Sequence, residues 1–132
     1  MPAGTSPVFV ATPKSYEVRI ATANAGRDGT GTLGTLATGV ANGSVVQAIR
    51  VQADGTTTAG VVRIFLTADT GTTKRLLKEL LIPAVTPSTT IEAFSIEWAP
   101  TEPIILNGAS YVLYASTNNA EGFVVLAVGG DY

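Results

Sequence analysis

The chain has 132 residues, the span of one ordinary domain, and contains neither cysteine nor histidine. That removes disulfides, thiol nucleophiles and thiolate metal sites, together with the imidazole that serves most hydrolases as a base and most zinc sites as a ligand. Charged residues make up 14% of the chain against about 25% in a typical soluble domain, and a net charge of -2 offers no basic footprint for a nucleic-acid backbone.

Residues 1–14 hold three prolines and little periodicity, which predicts an extended N-terminal arm. Phe9 and Val10 are its candidate partner contacts. The segment lacks a charged stretch followed by a long apolar core, so no signal peptide is expected and the chain reads as a cytosolic product. No apolar run anywhere approaches the roughly 18–20 residues of a membrane span.

Tyr16, Val18 and Ile20 alternate with Glu17 and Arg19, the period-2 signature of a half-buried strand. Residues 22–44 form a long connection rich in glycine, alanine and threonine. Within it Gly29, Gly31 and Gly34 match G-x-G-x-x-G, the spacing of dinucleotide-binding loops. The match needs a helix behind it whose N-terminus can face a phosphate. "TLATGVANGSV" carries two glycines and no sustained apolar stripe, so it predicts no helix and no nucleotide site. An adaptable loop lying along a neighbouring subunit is expected instead, with Arg27, Asp28, Leu33 and Leu36 as candidate contacts.

Val45 to Ala53 predicts a strand with Val45, Ile49 and Val51 on one face and Ala48, Arg50 and Gln52 on the other. Asp54-Gly55 and Thr56 to Thr58 lead into Val61 to Thr67, where Val62, Ile64 and Leu66 share a face; the pair reads as an antiparallel hairpin. "KRLLKELLIPA" fits both helical and strand templates. Its length of about ten residues and the stop at Pro83 favour a strand buried on both faces. Further strands are expected near residues 90–98, with Phe94, Ile96 and Trp98 on one face, and at Ile104–Leu106, Tyr111–Thr117 and Phe123–Val128.

About eight short strands separated by turns predict an all-β fold, a jelly-roll-like antiparallel β-sandwich spanning residues 15–132. Asp28, Asp54 and Asp69 sit beside glycine-rich turns without the dense ligand spacing of a calcium loop. Glu92, Glu97, Glu102 and Glu121 read as solvated strand edges, with a glycosidase pair as the sharper alternative. Phe94, Trp98, Tyr111 and Tyr114 read as core or interface residues, with sugar stacking as their alternative. Lys74, Arg75 and Lys78 form a small positive cluster at a strand end, suited to blocking edge pairing. No metal, cofactor or catalytic set is expected.

The stretch "VVQAIRVQADGTTTAGVVRIFLTADTGTTKRLLKELLIPA", with "LNGASYVLYASTNNAEGFVVLAVGGDY" after it, resembles small structural proteins of tailed bacteriophages. The similarity covers about residues 45–132. It rests on the turn from Thr56 to Gly60, "RIFL", the leucine-rich strand, the strand from Gly108 to Thr117, and the closing "GGDY". The resemblance implies a virion component that decorates or cements the capsid, bound to the major capsid protein and often trimeric. It carries no catalytic residues. A tail or baseplate component, or a carbohydrate-binding sandwich using Trp98 or Tyr111, are the alternatives.

Overall fold

The computed structural model describes residues 10–132, and its regular structure there is entirely β. Nine strands form: β1 (Thr12–Ile20), β2 (Gly34–Thr38), β3 (Ser44–Ala53), β4 (Gly60–Thr67), β5 (Lys74–Ile82), β6 (Ser95–Trp98), β7 (Ile104–Leu106), β8 (Val112–Thr117) and β9 (Phe123–Asp131). They build two antiparallel sheets. Sheet A runs β1-β9-β3-β6 with β7 also on β3, and sheet B runs β2-β8-β4-β5.

The alternation of side chains makes this a sandwich. Tyr16, Val18 and Ile20 of β1 stand opposite Ala127, Val125 and Phe123 of β9, which in turn face Ile49, Val51 and Ala53 of β3. Sheet B answers with Leu36, Val62, Ile64, Leu80, Ile82, Leu113 and Ala115, and the two inner faces share one buried cluster. Phe94, Ile96 and Trp98 pack against that cluster as their shared face predicts.

Several sequence expectations need correction. The predicted β3–β4 hairpin does not form, because β3 pairs with β9, β6 and β7 while β4 pairs with β5 and β8. The turn at Asp54-Gly55 therefore carries the chain from one sheet to the other. In β3 a register shift between Val46 and Ala48 reverses the alternation, so Val46 joins the cluster shared by the two inner faces, while Val45, 2% exposed, is buried outside that cluster. Gly129 lies against this bulge, where a Cβ would come within 1.8 Å of the Val45 carbonyl oxygen. Residues 12–14, assigned to the arm by their prolines and weak periodicity, begin β1 along β9; residues 1–9, including Phe9, lie outside the described residues. The leucine-rich run is a strand, but not one buried on both faces. It is the edge of sheet B, with Leu80 and Ile82 in the core and Leu81 76% exposed.

Each free edge carries a feature that opposes pairing with another strand. Pro13 removes one amide donor from β1. β2 is five residues long and interrupted by a register shift. On β5, Lys78 stands opposite the buried Ile64 and so points inward, its ammonium 5.7 Å from the Trp98 ring centre. The fourth edge is split into β6 and β7 by a segment containing Pro100 and Pro103.

Candidate functional site

The glycine- and threonine-rich connection is ordered by its own chain. After β1 ends at Ile20, Ala23 bridges to Thr117, and the Asn24 amide donates to the Thr117 carbonyl at 2.9 Å. The Asn24 side chain, in a residue only 9% exposed, organises the residues beyond it. Its Nδ2 donates to the carbonyls of Thr30 and Thr32, both at 2.9 Å, and its Oδ1 accepts from the Gly26 amide at 3.0 Å. One amide group thus closes residues 24–32 into a compact loop.

Arg63 pins this loop to sheet B. Its guanidinium, 3% exposed, donates through Nη1 to the Asn24 carbonyl at 2.9 Å, through Nη2 to Asn118 Oδ1 at 3.2 Å, and through Nε to Glu79 Oε2 at 2.9 Å. Arg27 in the loop donates to the same Glu79 oxygen at 2.8 Å, from a side chain 64% exposed. The two guanidiniums, Arg27 foremost, hold the Glu79 carboxyl below its ordinary pKa. Gly29 is buried with φ of +84°, and a Cβ there would come within 2.6 Å of Lys74 Cβ, so the loop touches β5 at a point where only glycine fits.

This geometry revises the expected contact surface. Residues 34–38 of the connection are strand β2, which leaves no room for a helix behind the glycines. Leu36 is 3% exposed and belongs to the core. Leu33 is half-buried and lines a cavity of about 130 Å³ with Arg19, Ile20 and Ser116, between the end of β1 and the start of β2. Arg27 and Asp28 are exposed on the loop, where Asp28 is occupied by the amide and hydroxyl of Thr30. Val10 is half-buried against Gly130, near the end of β9. These residues do not form one patch, and the loop's defined contacts are with its own sheet.

A second polar cluster ties the first strand to the last. Asp131 accepts from Lys14 Nζ at 2.5 Å, Ser44 Oγ at 2.7 Å and the Tyr16 hydroxyl at 3.1 Å. The Lys14 bond foremost, then Ser44, lowers the Asp131 pKa; the same contact with Asp131 raises that of Lys14. Burial raises the Tyr16 pKa.

The remaining turn carboxylates have local partners. Asp54 pairs with Arg19 at 2.6 Å, Asp69 accepts from Thr67 Oγ1 and the Thr73 amide, and Glu121 accepts from the Thr58 amide at 2.7 Å. Among the described residues, no three acidic side chains gather as metal ligands. A hollow of about 360 Å³ opens where β5 bulges beside Leu66, Leu76 and Leu77. Trp98 and Tyr111 pack against the core, and Tyr114 lies under the Lys74 ammonium at 5.4 Å. Sequence reading misses Asn24, Arg63 and Glu79 as a unit. The one available signal is a charge inside the apolar run "GVVRIFLT", which asks for a partner.

No protein-family model matches the chain, and no curated protein matches it in sequence.

Proposed function

We propose that this chain is a non-enzymatic structural protein of a tailed-bacteriophage virion, a decoration or cement protein that binds between major capsid subunits on the capsid surface. It is made in the host cytoplasm and joins the particle there. The observation that carries the reading is the strand order. β6 and β7 pair with successive stretches of β3, Ile49–Gln52 and Ser44–Val46, on the side away from β9. Counted as one interrupted strand they leave eight, four per sheet. Early strands then lie beside late ones, β1 with β9 and β2 with β8. That order supports a jelly roll, the fold that the resemblance to small phage proteins implies, and residues 45–132 of that resemblance span β3 to β9.

The physical logic of the role is linkage. A protein that binds the assembled lattice and not its free subunits stabilises the shell by the free energy of that binding. Such a protein needs a shape that holds without ligand, and the Asn24–Arg63 and Asp131 clusters supply internal fastening at two places.

Gradient-purified particles, analysed by quantitative mass spectrometry, test the proposal. The expected result is this chain at a copy number that scales with capsid lattice points, and particles lacking it that open at lower temperature. A few copies per particle identify a tail or baseplate component instead. Absence from particles refutes the proposal.

A further inference from the structure

The outer face of sheet A has a pattern that the fold does not require. Along β9 the outward residues are Val124, Leu126 and Val128, an apolar column down the middle of the sheet, with Val128 44% exposed. The register sets charges on either side of it. Glu17 of β1 lies beside Leu126 on one flank; Arg50 of β3 lies beside it on the other, with Glu97 of β6 beyond. All three charged residues are exposed, and none belongs to an ion pair among the described residues.

We propose that this face is a self-association surface, on which a second copy of the chain packs face to face about a two-fold axis running close to β9. Such an axis places β1 of each copy over β3 of the other. Leu126 then meets its own counterpart, Glu17 meets the copy's Arg50, and Arg50 meets the copy's Glu17. The row above is compatible, since Arg19, already held by Asp54, faces the copy's Gln52. The row below sets Ser15 against the copy's Ala48. A two-fold axis across the strands instead stacks Glu17 on Glu17 and Arg50 on Arg50, which like-charge repulsion opposes. The charge order therefore selects one arrangement of an isologous pair.

The free edges point the same way. Each is blunted by a proline, an inward lysine, an interruption or short length, so association by strand addition is disfavoured and a face is what remains. With the axis on β9, three strand positions of each copy overlap and β6 lies outside the pair. About 4.8 Å apart and about 27 Å long, they present about 390 Å² per copy, about 780 Å² in total, the size of a weak contact. The pair is accordingly expected to form only toward the upper end of the concentration range, near about 1 mM, as a two-fold dimer where the family resemblance implies a trimer.

Sedimentation equilibrium on the full chain, from about 1 μM to about 1 mM to bracket a weak interface, reads the mass directly. A concentration-dependent monomer–dimer equilibrium is expected. Glu17→Arg and Arg50→Glu should each weaken it by at least about tenfold, because each sets two like pairs face to face. The double reversal Glu17→Arg with Arg50→Glu should restore it to within about threefold of the original, since the pairing is re-formed with its signs exchanged. Circular dichroism confirms that each variant keeps its β fold. A chain that stays monomeric throughout, a closed trimer, or a double variant no stronger than the singles overturns the proposal.

Discussion

Replacing Arg63 with alanine tests whether the loop over sheet B depends on one buried guanidinium. The substitution removes three hydrogen bonds and leaves the Asn24 carbonyl and Asn118 Oδ1 without this donor, while Glu79 keeps Arg27. Glu79 is partly exposed and still paired, so no buried charge is stranded; the two acceptors left without their donor, at about 1–3 kcal/mol each, put this case at about 3–4 kcal/mol. With about 2.1 cal/mol/K of unfolding entropy per residue, the 132-residue chain has about 0.28 kcal/mol/K, so Tm should fall by about 11–14 °C. Differential scanning calorimetry measures the fall. Hydrogen exchange locates it, because amides of residues 26–33 should lose protection well before those of β9. Arg63→Met keeps the packing of the stem and should recover about half of the loss. Arg27→Ala, at the exposed end of the same cluster, should move Tm by no more than about 3 °C. If Arg63→Ala costs no more than Arg27→Ala, or if exchange rises uniformly, Arg63 does not clamp the loop.

Three further outcomes are expected from the packing. The Asp131 carboxyl has a lowered pKa, so its contribution is present above the unfolded value of about 3.9 and is lost as pH falls through the folded value. Lys14 and Tyr16 have raised values, so theirs is present below about 10 and is lost as pH rises further. Urea midpoints of the wild type should therefore fall at both extremes, and Asp131→Asn should flatten the acid limb; an unchanged acid limb contradicts the assignment. Leu36→Ala should cost about 2–5 kcal/mol in chemical denaturation, whereas Leu33→Ala should cost markedly less; equal losses would return Leu36 to the surface. Lys78→Val removes the inward charge on β5, so light scattering at about 100 μM should rise over hours with no loss of Tm; a variant that stays clear refutes the edge-blocking role.

The strands were legible because side-chain alternation depends only on near neighbours. "YEVRI" and "RIFL" each give a strand from that period, whereas "KRLLKELLI" has leucines at helical spacing and is identified as a strand only by its length and the stop at Pro83. What alternation cannot give is the partner. β3 and β4 look like a hairpin in sequence because only six residues separate them, yet those residues change sheets. A single bulge is enough to put Val46 in place of Val45 in the cluster between the sheets, since the period is two and one extra residue reverses it, although Val45 stays buried. β2 was missed for a related reason. Glycine and threonine around Leu36 and Ala37 read as loop, and only pairing with β8 makes them strand. The Asn24–Arg63 cluster spans 39 positions in sequence, so no local pattern contains it.

The pairing of the first strand with the last, Thr12 opposite Asp131 through to Ile20 opposite Phe123, has a mechanical consequence. The start of β1 and the end of β9 lie at the same corner of sheet A. Tension applied between them acts across the strands, so the ladder opens one bond at a time from that corner instead of resisting as nine residues loaded together. The Lys14–Asp131 contact sits at the point where such a tear begins. The same closeness allows the two ends to be joined by a short linker and the chain reopened at Asp54-Gly55, an exposed turn between the sheets. Such a permuted molecule has its new ends side by side at the β3–β4 turn, so the pull moves from the β1–β9 ladder to the junction between the two sheets.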